Sequence, residues 1–253
     1  MAPMTSRFAP EFREDQRAFF KSNGFLSVDA ITTPDEVAWL REIYEPLVED
    51  ARALKLHFET IREDGTPGVI SQIFSPELMR PELLETTYIA NARRLAAAML
   101  GLADEDVRYG GLMLIHKPAG GGRDTPWHQD EAYWDFPPTR RSHSLSVWMP
   151  LDDVTVDSGC MQFLPGSHEL DVLPHRKPTS DGPEPLVLEN PVDVSGAVAC
   201  PLRAGGATTH YCRTLHFAGA NTSPRPRRAL TVIFHGPPGV REQPLDRHWL
   251  RES

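Results

Sequence analysis

The sequence has few cysteines and no long hydrophobic run. Its three cysteines, Cys160, Cys200 and Cys212, are an odd number without Cys-x-x-Cys spacing, which is typical of reduced, buried thiols rather than of a disulfide framework. No apolar stretch approaches the ~18 residues that a membrane span requires, and the first residues contain no signal-peptide core. We therefore expect a soluble, cytoplasmic protein with no membrane partner.

Positive charge is also in short supply. Acidic residues number 35 against 26 basic ones, which gives a formal net charge of −9. Because nucleic-acid-binding proteins present a basic face, no nucleic-acid partner is expected. The basic clusters at 140–141 and 225–228 are short enough to be solvated surface.

The abundance of turn-forming residues indicates the fold class. The 253 residues include 24 prolines and 18 glycines, which favours a mainly β or α+β barrel over a helical bundle. The length fits one domain over 1–253. Within it, 1–106 are predicted to be largely helical support, with helices from Thr33 and from Pro81, and with 57–76 irregular. Short strand patterns from 107 to 240 predict a jelly-roll core, and the proline-rich stretch 171–195 predicts a lid or insert.

The stretch 127–136, Trp-His-Gln-Asp-Glu-Ala-Tyr-Trp-Asp-Phe, carries the first chemical signal. His128 and Asp130 are two positions apart, and alternate side chains of an extended strand share a face. A third ligand must come from far along the chain: His216, 88 positions after His128, is the best candidate and His210 competes with it. Two imidazoles and one carboxylate with open positions suit a non-haem Fe(II) oxygenase. Arg227, 11 residues after His216, is suited to binding a carboxylate through two hydrogen bonds.

Five segments in order carry a resemblance to a known family. They are 112–118 (LMLIHKP), 127–130 (WHQD), 147–153 (VWMPLDD), 157–168 (DSGCMQFLPGSH) and 216–228. The sequence resembles the phytanoyl-CoA dioxygenase family of Fe(II)/2-oxoglutarate oxygenases over roughly residues 110–235. The resemblance implies a double-stranded β-helix, a cupin-like jelly roll with N-terminal supporting helices.

The resemblance also implies the site. It assigns Fe(II) to His128, Asp130 and His216, and it assigns 2-oxoglutarate to Arg227, Met113 and Trp148. The family pattern selects His216 over His210, and Arg227 over Arg225 and Arg228. If Arg227 faces the pocket, strand alternation sends Arg228 to the opposite face.

One residue departs from the family pattern. The family often has a serine two positions after the distal histidine, in contact with the co-substrate, and this chain has Ala218 there. Thr208, Thr214 or a water are the candidates to replace that hydroxyl.

The implied reaction is an O2-dependent oxidation of a C–H bond of a small molecule, coupled to conversion of 2-oxoglutarate to succinate and CO2. Hydroxylation, cyclisation, epimerisation and desaturation all begin with the same hydrogen removal and remain open. The presence of Asp130 argues against halogenation, because related halogenases have a small residue there. We expect a monomer or homodimer and hypothesise a natural-product tailoring enzyme.

The residues leave some alternatives open. The aromatic residues near the ligands either bind substrate or form core at the barrel rim: Trp127, Tyr133, Trp134 and Phe136. A cupin-type isomerase or hydrolase would not use 2-oxoglutarate and would leave Arg227 idle. A non-catalytic binding module would be expected to have lost a ligand. Phytanoyl-CoA itself is a less favoured substrate, because a CoA ester suits a basic groove.

Overall fold

The structure is a computed structural model, which describes residues 8–55, 57–61, 67–120, 123–178 and 185–251. Its four α-helices, in chain order, are α1 (Glu14–Asn23), α2 (Pro34–Glu42), α3 (Tyr44–Leu54) and α4 (Thr87–Leu100). The strands are β1 (Phe25–Val28), β2 (His57–Ile61), β3 (Pro67–Phe74), β4 (Arg108–Lys117), β5 (Thr125–His128), β6 (Arg140–Arg141), β7 (Ser144–Pro150), β8 (Met161–Phe163), β9 (His175–Arg176), β10 (Val187–Leu188), β11 (Val198–Cys200), β12 (Ala207–Tyr211), β13 (His216–Ala218), β14 (Arg227–His235) and β15 (Gly239–Val240).

Two antiparallel sheets face each other. The major sheet has the order β1-β12-β7-β14-β4-β3-β2, and the minor sheet has the order β11-β8-β13-β5. Their inner faces meet in an apolar cluster to which Trp148 and Ala229 contribute from the major sheet and Phe163 and Ala218 from the minor one. This interdigitation of two inner faces fixes the space in which inward side chains can converge.

The helices cover the outer face of the major sheet. Outward residues of β7 and β14, such as Val147 and Leu230, pack with apolar residues of α2, α3 and α4. Because β7 is covered on both faces, all seven of its residues are buried. The helix support is anchored by the buried Glu36, whose carboxylate accepts the backbone N–H groups of Thr87 and Tyr88 at 2.7 and 2.8 Å. A carboxylate at this point satisfies free donors at the N-terminus of α4.

The helix predictions are correct in place but not in every boundary. Thr33 caps α2 and Pro34 occupies its first turn, as expected. The helical stretch divides at Ile43, and Pro46 lies in the first turn of α3, where proline is tolerated. The second helix does not begin at Pro81: residues 81–85 form a 3-10 turn, and α4 begins only after its cap Thr86.

The prediction that residues 57–76 are irregular is wrong. Strands β2 and β3 lie there and extend the major sheet beyond β4. Residues 62–66 of this stretch lie outside the described residues. The N-terminal part is therefore not only helical support, since β1, β2 and β3 all join the major sheet.

Within 171–195, the described residues form a small ribbon in which β9 pairs with β10. Val172 and Leu186 from this stretch pack with Ala132 and Trp249 in a separate apolar cluster. Residues 179–184 lie outside the described residues, and closure of this stretch as a lid stays a prediction. No helix in the described ranges is long and apolar enough to cross a membrane.

Candidate metal centre

The two candidate histidine ligands lie side by side on the minor sheet. His128 ends β5, His216 begins β13, and their Cα atoms are direct partners across the two strands. The centroids of their rings are 4.1 Å apart. Strand alternation sends Trp127 to the other face, where it stacks on Phe217 at 5.5 Å. Trp127 is therefore not among the aromatic residues that surround the ligands.

The candidate carboxylate ligand comes from the turn after β5. The spacing of His128 and Asp130 had suggested an extended strand, but Asp130 begins a 3-10 turn that runs to Tyr133. Asp130 therefore reaches the histidines from a turn. Its Oδ1 lies 3.6 Å from Nε2 of His128 and 3.4 Å from Nε2 of His216. One ligand atom from each residue falls within 4.8 Å of the others, which makes the three a group that could hold a metal ion.

Both histidine rings are oriented for ligation. Nδ1 of His128 donates to the carbonyl of Pro126 at 2.7 Å, and Nδ1 of His216 donates to the carbonyl of Thr214 at 2.9 Å. Each bond fixes the tautomer and leaves the Nε2 lone pair directed at Asp130, as in metal-bound histidines. Burial, followed by the neighbouring His216, lowers the pKa of His128. This keeps the imidazole neutral, which is the form that binds a metal.

The other oxygen of Asp130 is held by two donors. Ser146 Oγ donates to Oδ2 at 2.8 Å, and Nε2 of His210 donates to the same oxygen at 3.3 Å. His210 is thus in contact with the carboxylate, and it lies outside the group of three that could share a metal ion. Burial by itself raises the pKa of Asp130, but the imidazoles around it, His216 first, outweigh burial and hold the pKa well below its usual range.

A cluster of arginines surrounds the residue next to Asp130. Glu131 is completely buried, and its Oε1 accepts a hydrogen bond from Arg241 Nη2 at 2.6 Å. Arg247 and Arg213 lie 3.7 and 3.8 Å from the same carboxylate. We call these four residues the arginine hub. Sequence reasoning missed the hub, because its arginines are 82 or more positions away from Glu131 and form no local pattern.

The hub ties the C-terminal segment (residues 239–251) to the loop that carries Asp130. Trp249 Nε1 donates to the carbonyl of Ala132 at 2.9 Å, and Arg247 Nη1 donates to that of Phe136 at 3.1 Å. The backbone N–H of Leu245 donates to Pro138 at 3.0 Å. The position of the metal-binding turn therefore depends on residues at the far end of the chain.

Arg227 lies on the inward face of β14 with unused hydrogen-bonding capacity. It is 2% exposed, and its Nη2 donates to the carbonyl of Gly159 at 3.2 Å. Its Nε and Nη1 are buried and have no hydrogen-bond partner among the described residues. Burial lowers the pKa of Arg227 to about 10, so the guanidinium is charged at neutral pH. A buried cation with free donors is costly unless an anion binds to it, which fits the carboxylate of a 2-oxo acid.

The two neighbouring arginines point elsewhere. Arg228 faces the opposite side of the strand, where it pairs bidentately with Asp152 at 2.8 and 3.0 Å. Its guanidinium also lies over the ring of Tyr44. Arg225 is exposed. The alternation expected from the sequence is therefore present, with Arg227 inward and Arg228 outward.

Met113 and Trp148 lie in one row of inward-facing residues. Across the sheet, Met113 pairs with Thr231, Thr231 with Trp148, and Trp148 with Thr208. The Trp148 ring lies 5.3 Å from the Arg227 guanidinium. Trp148 Nε1 and Thr208 Oγ1 are buried, and no residue in the described part of the chain forms a hydrogen bond with either. The row thus presents two buried polar groups, of which the one on Trp148 belongs to a side chain in contact with Arg227.

Thr208 and Thr214, the two threonines proposed to replace the missing serine, differ in whether their hydroxyl is already hydrogen-bonded. Thr214 Oγ1 already donates to the carbonyl of Gly24 at 2.7 Å, so it is occupied. Thr208 faces inward with a free hydroxyl. Ala218 itself is buried between the two sheets.

Aromatic residues follow Asp130 in the chain, and one of them, Tyr133, borders the metal site. Tyr133 meets the His128 ring edge-on at 5.7 Å, and its hydroxyl accepts a hydrogen bond from the backbone of Leu186 at 2.9 Å. Trp134 and Phe136 lie 5.4 Å apart and both contact His235. Tyr133 is 41% exposed, so this border is not sealed core.

The three cysteines are buried and free, as predicted.

A double-sheet fold with a His-Asp-His group and a buried free arginine defines the class of non-haem Fe(II)/2-oxoglutarate oxygenases. Comparison with known proteins agrees. The family model described as phytanoyl-CoA dioxygenase (PhyH) matches residues 20–229. The chain belongs to the phytanoyl-CoA dioxygenase family and is a non-haem, 2-oxoglutarate-dependent dioxygenase that uses Fe(II) and O2.

Individual relatives support this assignment. EvdO2 from Micromonospora carbonacea var. aurantiaca is 36% identical to this chain in sequence. Its crystal structure, complexed with 2-oxoglutarate, matches 96% of this chain and 99% of its own, with a TM-score of 0.81. Ectoine dioxygenase from Bordetella bronchiseptica is 26% identical over 90% of this chain and 77% of its own. SnoK, a carbocyclase from nogalamycin biosynthesis, shares the fold at 22% identity over 94% of this chain and 90% of its own, with a TM-score of 0.68. The double-stranded β-helix predicted from the sequence is therefore confirmed.

Proposed function

We propose that this dioxygenase oxidises a C–H bond of a small-molecule natural product as a tailoring enzyme, with conversion of 2-oxoglutarate to succinate and CO2. The observation that carries the proposal is that two features face the space between the two sheets. One is the His128–Asp130–His216 group, and the other is the buried Arg227 with free Nε and Nη1. A metal-dependent isomerase or hydrolase has no use for the second feature.

The three ligand residues have the chemistry that Fe(II) requires. His128 and His216 offer neutral Nε2 atoms, and Asp130 offers Oδ1 while Ser146 and His210 hold its other oxygen. Such supporting bonds orient ligands and raise metal affinity. When Fe(II), 2-oxoglutarate and O2 are bound together, they supply an oxidant able to remove hydrogen from an unactivated C–H bond.

The co-substrate is assigned to the row beside Arg227. The guanidinium binds a carboxylate of 2-oxoglutarate, Trp148 packs against the guanidinium, and Met113 forms part of the apolar wall. The burial of Arg227 and Trp148 excludes water from the bound acid. Charge pairing is stronger in such a desolvated setting than on the surface.

The substrate is assigned to the aromatic border of Tyr133, Trp134 and Phe136. Apolar and aromatic walls with few polar groups are typical of small-molecule sites. Within the same fold, SnoK is described as acting in nogalamycin biosynthesis, which supports a tailoring role by analogy of fold alone.

The test is an anaerobic titration of the apoprotein with Fe(II) and 2-oxoglutarate, followed through the weak visible charge-transfer band of the chelate. The wild type is expected to show the band. His216→Ala should abolish it by removing iron, and Arg227→Ala should move its appearance to higher 2-oxoglutarate concentrations. Arg225→Ala is the matched control, because this exposed arginine lies two residues away. An iron-loaded wild type without the band would refute the proposal. If the band is present, candidate substrates are screened next by measuring the release of succinate.

A further inference from the structure

A buried lysine lies directly beside Arg227. Lys117 ends β4 and is the direct partner of Arg227 in β14, and opposed residues of paired strands share a face. Lys117 is 4% exposed. Lysine is almost never this buried without a specific reason, and two like charges opposite each other destabilise a sheet.

Among the described residues, the hydrogen bonds of the Lys117 amine go to backbone carbonyls. Its Nζ donates to the carbonyl oxygens of Ala218 and Gly219, both at 2.7 Å. In the part of the chain that the structure describes, neither Lys117 nor Arg227 forms an ion pair with a carboxylate. Two adjacent buried side chains of this kind cannot both carry a positive charge at low cost in the free protein. A bound carboxylate between them removes that cost.

The position of the amine coincides with the one departure from the family pattern. The family serine would stand at position 218, and Lys117 Nζ contacts the carbonyl of Ala218. The four-carbon side chain of Lys117 therefore brings an N–H donor to Ala218, the residue that lacks the hydroxyl donor. A lysine ammonium forms charge-assisted hydrogen bonds that are stronger than those of a neutral hydroxyl.

We propose that Lys117 is the second donor to the carboxylate of 2-oxoglutarate that Arg227 binds, in place of the serine that position 218 lacks. This role rests on the proposed function, since it presumes the same co-substrate. It adds a binding residue to that site and predicts a coupling between co-substrate binding and protonation.

The charges around the amine set the direction of that coupling. Burial, followed by the charge of Arg227, lowers the pKa of Lys117 to about 6, while Asp124 acts in the opposite direction. At pH 7.5 the amine of the free protein is therefore neutral, and its two N–H groups match the two carbonyls that accept them. A carboxylate placed beside it favours the ammonium form. Binding of 2-oxoglutarate should then take up a proton and weaken as the pH rises above 6.

The first test measures the 2-oxoglutarate dissociation constant of the anaerobic Fe(II) protein through its visible band. Lys117→Met should raise this constant by about tenfold to a hundredfold, the range expected for a lost charge-assisted hydrogen bond. Adding Ala218→Ser to Lys117→Met should recover a large part of the loss, because it restores the family hydroxyl. Lys21→Met, at an exposed lysine of α1, is the control and should bind like wild type.

The second test needs no variant and stays informative if Lys117→Met does not fold. Isothermal titration of wild type with 2-oxoglutarate at pH 7.5, in buffers of different ionisation enthalpy, should report uptake approaching one proton. In a folded Lys117→Met the uptake should vanish. A wild type that takes up no proton would overturn the proposal.

The outcomes distinguish this proposal from the proposed function. An iron-loaded wild type without the band refutes both. A wild type with the band, together with a Lys117→Met variant whose affinity changes less than twofold, overturns only the role of Lys117. A loss that Ala218→Ser leaves unchanged also overturns it, because it would assign Lys117 a merely structural role.

Discussion

Replacing Glu131 with glutamine removes the only carboxylate at the centre of the arginine hub while preserving its size. Glu131 is completely buried and receives a 2.6 Å hydrogen bond from Arg241, with Arg247 and Arg213 at 3.7 and 3.8 Å. The neutral amide would leave these cations with the charge of Asp171, which contacts Arg241 from a partly exposed position.

The magnitude follows from burial. Removal of one partner of a buried ion pair costs about 3–5 kcal/mol, because the remaining charge stays desolvated. Exposed pairs cost at most ~1 kcal/mol. Arg203→Ala is a suitable control, since Arg203 and Asp153 form an ion pair with side chains 87% and 42% exposed. We expect Glu131→Gln to lower the free energy of unfolding by about 3–5 kcal/mol and the control by no more than ~1 kcal/mol.

The assay is urea unfolding of the apoprotein, followed by tryptophan fluorescence. The change in free energy is read from the shift in the midpoint at constant slope. Trp249, which belongs to the same C-terminal segment, packs beside the hub and reports on it directly. If Glu131→Gln loses no more stability than Arg203→Ala, the hub does not hold the metal-binding turn and the reasoning is refuted.

Two further variants test groups around the site. Thr208→Val should leave the melting temperature unchanged or raise it, because the buried hydroxyl has no partner. It should also weaken 2-oxoglutarate binding severalfold in the band titration, and unaltered binding would exclude Thr208 as a co-substrate contact. His210→Phe removes a donor to Asp130 and should lower iron affinity by about 10- to 100-fold, measured by competition with a chelator. Equal affinity would show that Ser146 suffices to hold that carboxylate.

The sequence predicts best where local periodicity decides the outcome. Arg227 and Arg228 differ by one position on a strand, so one must face inward and the other outward, and the structure places them so. His128 and His216 become neighbours because β5 and β13 pair in the minor sheet. That pairing is long-range, and only the resemblance to a family indicated it.

The sequence predicts least where partners are far apart or where a pattern is short. Glu131 and Lys117 are unremarkable charges in the sequence, and only folding brings Arg241 and Arg227 beside them. Strands β2 and β3 were missed because glycine and proline near them suggested loop. The β-branched run in Pro67–Phe74, with Val69, Ile70 and Ile73, was the signal for a strand.

The arginine hub also determines when in synthesis the site can be completed. Arg241 follows Glu131 by 110 residues, which corresponds to roughly 6–22 s of translation at ~5–20 residues per second. During that interval the carboxylate has no partner from the C-terminal segment, and the turn that carries Asp130 lacks its anchor. Iron is therefore expected to bind stably only after residues 239–251 have been synthesised and have packed against this turn.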